Sequence, residues 1–373
     1  MADGSPPGLA ASVIVPVRNG RSVLPALLAA LAAQTLPQER FEVVIGDDGS
    51  TDGGTDRLET AGGRVRVARA GASTGYAARN RAARLARAPV LAFCDADCVP
   101  EPGWLEAGLA AIEDADVVGG FIRGVGPPRP TIWTLLDMDT FVDGERAVRA
   151  GGLLTGNLFV RRALFEELGG FDESLPRTGD FEFARRCHAR GARVAFSRDA
   201  VVSHPTYNRA RPFLAKVWAV NRWYGWSEGR DGRRPNALRL RAWVPFVQTY
   251  RTRRSFGRPV GLATARLREN GVEPRLVDHL RALPLIYLVL PYMGCCGQVL
   301  GWQAGRRLAR RAARLRSARG DADVRPAAMV LADETTELAV RARRDDVQGR
   351  RVGEGAGGDA DRQVEPSAPA CRE

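Results

Sequence analysis

The sequence predicts an α/β protein: a mostly parallel central sheet flanked by helices, followed by a helical, membrane-associating C-terminal region. Three observations carry that expectation. Short apolar, β-branched runs alternate with segments of helical periodicity, the pattern of βαβ units. Polar and acidic clusters follow those runs directly, at the carboxyl ends of strands where α/β sheets bind ligands. The nicotinamide or flavin fingerprint Gly-x-Gly-x-x-Gly is absent after the first run.

In order, residues 12–17 (SVIVPV) form the first predicted strand, ending in Pro16, Val17, Arg18 and Asn19. Ser22 is placed to cap a helix through Gln34. Residues 41–46 (FEVVIG) make the second strand and run into Asp47, Asp48, Gly49, Ser50, Thr51 and Asp52. A third strand is predicted at 65–68, a helix at 75–87 and a fourth strand at 89–94, which ends in Asp95, Ala96 and Asp97. Glu101 and Pro102 open another helix, and a further strand begins at 117–119. Three polar strand ends then face one cleft.

Asp95 and Asp97 carry the most specific chemistry. In extended backbone, residues i and i+2 point to the same side, so both carboxylates can face one oxygen-loving cation such as Mg²⁺ or Mn²⁺. By itself Asp-x-Asp is equally a solvated turn. The six cysteines show no Cys-x-x-Cys spacing and no grouping with histidine, which excludes a zinc site of that kind and leaves reduced thiols as the expectation. Basic residues outnumber acidic ones 55 to 43, and Lys216 is the only lysine. Arginine suits phosphate-bearing partners. The opening MADGSPPGLAAS has neither a basic n-region nor an apolar h-region, so no signal peptide is expected.

Six blocks in register extend the reading: SVIVPVRN, EVVIGDDGSTDGG, GYAARNRAA, FCDADCVP, LTGNLFVRRALFEELGGFDE and GDFEFARR. Together they resemble family 2 glycosyltransferases of the GT-A fold, over roughly residues 12–204. The resemblance implies an inverting transferase that uses a nucleotide-sugar donor. Pro16, Val17, Asn19, Asp47, Asp48, Arg79 and Asp95 would line the donor nucleotide, with Asp47 or Asp48 accepting the imide N–H of a uracil-like base. Asp95 and Asp97 would hold a divalent metal (Mg²⁺ or Mn²⁺), and His204 would complete that site. Asp180 would be the general base, while Gly156, Asn157, Glu182 and Trp223 would line the acceptor.

Each residue also has a plainer reading. Ser50 to Asp52 suit an Asx-type turn, Arg79 a solvated helix face beside Arg81 and Arg84, and His204 a histidine bonded to backbone. Asp180 suits a helix N-cap with Glu182 in the first turn. The family pattern begins Glu-Asp where this chain has Gly179-Asp180. Trp223, in WAVNRWYG, belongs either to an aromatic acceptor platform or to a packed helix face; Ala219 replaces the glutamine that a processive synthase signature requires.

Residues 283–305 carry no charge over a length sufficient to cross a bilayer of ~30 Å. Seven arginines without an acid follow between Arg306 and Arg319. That pairing fits an anionic membrane surface better than nucleic acid, whether the segment spans or lies in the interface. The expected organisation is a flexible 1–10, a catalytic GT-A domain at 11–235, a basic helical region at 236–316 and a largely disordered tail at 317–373. A short helix near 334–344 is the one exception within that tail. The expected partners are a nucleotide sugar, a glycan, lipid-linked or small-molecule acceptor and the inner face of a membrane. Polyprenyl-phosphate glycosylation is the substrate variant; a nucleotidyltransferase or a non-catalytic membrane adaptor are the other classes.

Overall fold

Strands β1 (Ala11–Val17), β2 (Phe41–Asp48), β3 (Val65–Ala70) and β4 (Val90–Cys94) run parallel, with β1 between β2 and β4. With β5 (Val99–Pro100), β6 (Val117–Val125), β7 (Asn157–Arg161) and β8 (Val194–Pro205) they make one eight-stranded sheet, in the order β3-β2-β1-β4-β7-β6-β8-β5. The computed structural model describes residues 8–58, 64–141, 143–239, 242 and 261–319. Expectations for the first residues and for the tail beyond Arg319, including the helix near 334–344, lie outside these, as does most of 240–260.

The core follows from the strand sequences. β1 is apolar on both faces and nearly all buried, as a strand covered on both sides must be. Val13 and Val15 share one core with Leu24, Leu27 and Leu31 of α1 (Leu24–Ala32), while Ile14 shares the other with Ala82 and Ala83 of α2 (Gly75–Leu85). Thr74 caps α2 by accepting from the Ala77 N–H at 3.1 Å. Ser22 does not cap α1: Val23 holds that position without a side-chain bond, and a proline in the first turn supplies the start.

After α3 (Trp104–Ile112), the chain lays down β6, then α4 (Ile132–Thr140) and α5 (Gly144–Arg149), and returns as β7 antiparallel to both β4 and β6. This reversal, with the antiparallel pairing of β5 to β8, makes the sheet mixed. It puts the start of β7 opposite Cys94, and β8, parallel to β6, ends on the same edge as β4. Between them lie α6 (Arg162–Glu167) and α7 (Gly179–Ala189). Asp180 is not the cap of α7; Thr178 precedes the helix in a left-handed conformation (φ 62°), and Asp180 sits inside the first turn.

The long α8 (Ala210–Arg230) leads away from β8. After α9 (Thr264–Glu269), α10 (Leu276–Pro284) continues through a π-helical stretch (Leu285–Val289) into α11 (Leu290–Arg319). Pro284 inside the helix lacks the N–H that an α-helical bond needs, which accounts for the π turn beside it. The run Leu276–Arg314 is long and apolar enough to cross a membrane by length and composition, and only 22% of its most apolar window is buried. It lies along α8 in parallel. A Cβ at Gly225 or Gly229 would overlap the carbonyls of Gln298 or Trp302, and one at Gly301 or Gly305 those of Arg222 or Trp226. Glycine on both helices lets the two backbones touch.

Candidate active site

Parallel pairing brings the ends of β1, β2 and β4 to one edge. The Asn19 side chain, on left-handed backbone (φ 56°), accepts from the Thr51 N–H at 2.9 Å, and its own N–H donates to Ser50 Oγ at 3.0 Å. Those bonds lock the first loop to the second. Pro16 is half-buried and Val17 buried just before it.

Both acids at the end of β2 are buried and held. Asp47 accepts from the Ser50 N–H (2.8 Å) and the Thr55 hydroxyl (2.5 Å). Burial would raise its proton affinity, but these bonds outweigh it and keep the carboxyl below its ordinary value. Asp48 accepts from the Ser73 N–H and hydroxyl at 2.7 and 2.8 Å. The turn reading of 50–52 is therefore realised alongside the two acids.

Arg79 is buried on α2 rather than solvated. It donates to Asp95 Oδ1, lies over the Tyr76 ring at 5.4 Å, and keeps its Nε buried without an acceptor. Gly156, just before β7, faces the same carboxylate: a Cβ there would stand 3.3 Å from Asp95 Oδ2. A larger residue there would press the carboxylate by a few tenths of an ångström.

His204 arrives from the end of β8 and sets Nε2 3.9 Å from Asp97 Oδ1. Its Nδ1 is buried with no hydrogen-bond partner. Donor atoms of Asp97, Cys98 and His204 lie within 4.8 Å of one another. The Cys98 thiol is pushed well above its ordinary value, first by its hydrogen bond with Cys94 and then by burial, and it points to the Gly156 carbonyl at 3.8 Å. What remains is a carboxylate and an imidazole with Asp95 nearby, a donor set that fits Mn²⁺ or Mg²⁺.

Asp180 completes the cluster from α7. Its N–H donates to Tyr76 Oη at 3.2 Å, across 104 residues, and its Oδ1 accepts from the Phe181 N–H at 3.0 Å. Burial pushes the carboxyl up to about 6, against the opposing pull of the Phe181 N–H, Arg79 and the Tyr76 hydroxyl.

Three expected acceptor residues are not brought to this cluster. Asn157 is buried and fully bonded, accepting from Trp104 Nε1 and donating to the carbonyls of Phe121 and Ala200. Glu182 takes a two-point ion pair with Arg186, which also holds the carbonyls of Leu168 and Gly170. Trp223 is buried against Trp226 at 5.3 Å, on the packed face of α8. Conversely, Tyr76 was not singled out in the sequence. Its only signal there is its place one helical turn before Arg79.

The mixed sheet, helices on both faces and acids along one edge define a GT-A glycosyltransferase. Residues 12–169 match the family model for glycosyl transferase family 2. The chain is 32% identical to Glycosyltransferase AglE of Haloferax volcanii over 209 residues, which is 54% of this chain and 67% of that protein. It is 33% identical over 229 residues to Validoxylamine A glucosyltransferase of Streptomyces hygroscopicus subsp. jinggangensis, covering 51% of this chain and 54% of the relative. S. aureus TarS 1-349 in complex with UDP-GlcNAc superposes with a TM-score of 0.45 at 21% identity, over 81% of this chain and 92% of that one. The chain belongs to glycosyl transferase family 2 and is a glycosyltransferase. It spans about two thirds of the first relative and about half of the second.

Proposed function

We propose that the enzyme transfers a sugar, with inversion, from a uridine-type nucleoside diphosphate donor to an acceptor hydroxyl at a membrane surface. One observation carries this reading: a line of contacts from Asp95 through Arg79 and Tyr76 to Asp180, with the His204–Asp97 pair two residues from Asp95. It gives one end to a leaving diphosphate and the other to a nucleophile.

Asp47 or Asp48 accepts the imide N–H of the base, which an ionised carboxylate does without rearrangement. Arg79 braces Asp95 and meets the diphosphate. A divalent cation held by Asp97 and His204, with Asp95 beside it, would neutralise charge gathering on the leaving diphosphate. Asp180 accepts the acceptor hydroxyl's proton as that oxygen bonds to the anomeric carbon and the bond to the diphosphate breaks on the opposite face. A carboxyl raised to about 6 is ionised at neutral pH yet more basic than an ordinary aspartate.

The setting follows from the long helix. Leu276, Leu280, Leu288, Tyr292 and Leu300 are exposed, with Arg281 among them and the arginine run after Gly305. This supports attachment to the inner, anionic face of a membrane and a lipid-linked acceptor, polyprenyl phosphate included. Nucleotidyl transfer and a bare adaptor role are set aside by family membership.

Thermal protection by UDP-glucose and UDP-GlcNAc, with and without Mn²⁺, tests the donor end; Asp97→Ala is expected to abolish the Mn²⁺-dependent part. Vesicle co-sedimentation tests the setting. Binding to phosphatidylglycerol vesicles should exceed binding to phosphatidylcholine ones and fall in Leu280→Gln/Leu288→Gln. Equal binding by the double variant would overturn the membrane surface.

A further inference from the structure

We infer that Tyr76 is the positioning residue for the acceptor base: its ring occupies the place a side chain at position 179 would take, and its hydroxyl holds the Asp180 N–H. The inference rests on Asp180 being the base.

Two independent geometric facts meet at Tyr76. The first concerns space. A Cβ built on Gly179 would lie 2.7 Å from the Tyr76 ring, closer than real carbon atoms approach. The ring cannot retreat, because it is 6% exposed and packs on Phe171 at 5.3 Å. Tyr76 and Gly179 thus specify each other, and the glycine where the family pattern has glutamate acquires a physical reason. The second concerns bonding. Tyr76 Oη accepts from the Asp180 N–H at 3.2 Å, which holds the first turn of α7, and with it Asp180, against α2. The phenol is buried, so its bond is worth more there than at the surface.

A third contact links this seat to the donor end. Tyr76 and Arg79 stand one turn apart on α2, the guanidinium lies over the ring at 5.4 Å, and it grips Asp95. One helix therefore carries both the brace of the donor carboxylate and the seat of the acceptor base. The charged and titratable groups facing Asp180 are Tyr76 and Arg79 from α2, and the Phe181 N–H of its own helix adds a hydrogen bond. Of these, the Tyr76 hydroxyl can be removed while keeping the ring and the ion pair, at the cost of the acceptor of the Asp180 N–H.

Tyr76→Phe is the decisive variant. With UDP-glucose or UDP-GlcNAc and Mn²⁺ we expect donor protection against unfolding to stay within twofold of the parent enzyme. In aspartate-labelled protein, the ¹³C-carboxyl signal that disappears in Asp180→Asn should titrate near pH 6 in the parent. Its midpoint should move upward in Tyr76→Phe, because the phenol's opposition to the raised proton affinity has been lost. The transfer or donor-hydrolysis rate should fall at least tenfold near pH 6, with the acid limb displaced to higher pH. An unmoved Asp180 midpoint overturns the hydroxyl's role. The spatial half is read separately. Gly179→Ala should lower the unfolding temperature in the parent and cost markedly less in Tyr76→Ala, where the ring is gone; additive losses overturn it. Neither readout requires Asp180 to be the base. Full transfer by Asp180→Asn would remove the catalytic reading while leaving both contacts intact.

Discussion

The donor half and the acceptor half of the cleft treat their carboxylates in opposite ways. Asp47, at the end of a parallel strand, is buried yet held below its ordinary value by bonds from its own following loop. Asp180, on α7, is raised to about 6 by burial that its few bonds do not offset. On the proposed reading, the difference teaches how one edge serves two tasks: a donor grip needs permanent charge, whereas a proton acceptor needs affinity for the proton.

Removing the acceptor carboxylate gives the largest expected effect. Asp180→Asn should lower transfer by about 10²–10⁴-fold, the range of a general base, while nucleotide-sugar binding by calorimetry stays near the parent value. Full activity would break the comparison outright. On the donor side, Asp97→Ala should weaken Mn²⁺-dependent donor binding by at least about 10–100-fold. That loss would appear in binding as well as in rate, unlike the first.

The comparison also has a pH signature. Transfer should rise through about pH 6 with the slope of one proton as Asp180 ionises. The same group opposes folding in its charged form: its folded value lies above the unfolded one, so its proton favours the folded state. Stability from this group is fully retained below about pH 4, is lost as pH climbs to about 6, and is level beyond. Asp180→Asn should therefore unfold at higher temperature than the parent at pH 8, with the gain shrinking toward pH 4. A gain unchanged by pH would assign the effect to something other than charge.

Smallest is the effect expected at Glu182. Its pairing with Arg186 anchors α7 to the 168–170 turn, so Glu182→Gln should cost about 1–2 kcal/mol in chemical unfolding and leave the KM for acceptor unchanged. A raised acceptor KM would restore Glu182 to the acceptor wall.

Much of the donor half was legible because its information is local. A strand that ends in Asp-Asp, or in Asp-x-Asp, carries its acids to the sheet edge by alternation and parallel pairing alone. Helix starts were less legible: Ser22 and Asp180 both have good capping chemistry, but Val23 and Thr178 hold the positions. Three of the acceptor-lining expectations meet other partners for a related reason. Asn157, Glu182 and Trp223 are polar or aromatic residues of the kind that line sites, and each is absorbed by a long-range partner that spacing does not reveal.

By itself the sequence determined the strand ends that carry Asp47, Asp48, Asp95 and Asp97, the uncharged helix with its arginines, and the glycine at 179. Each is a property of a few consecutive residues. Tertiary structure alone decided that β7 runs backwards, so that Gly156 faces Asp95 and His204 meets Asp97, and that Tyr76 lies against Gly179 and the Asp180 N–H. Direction in a sheet and burial of a carboxyl depend on which distant segments exclude water together, and no local pattern encodes that choice.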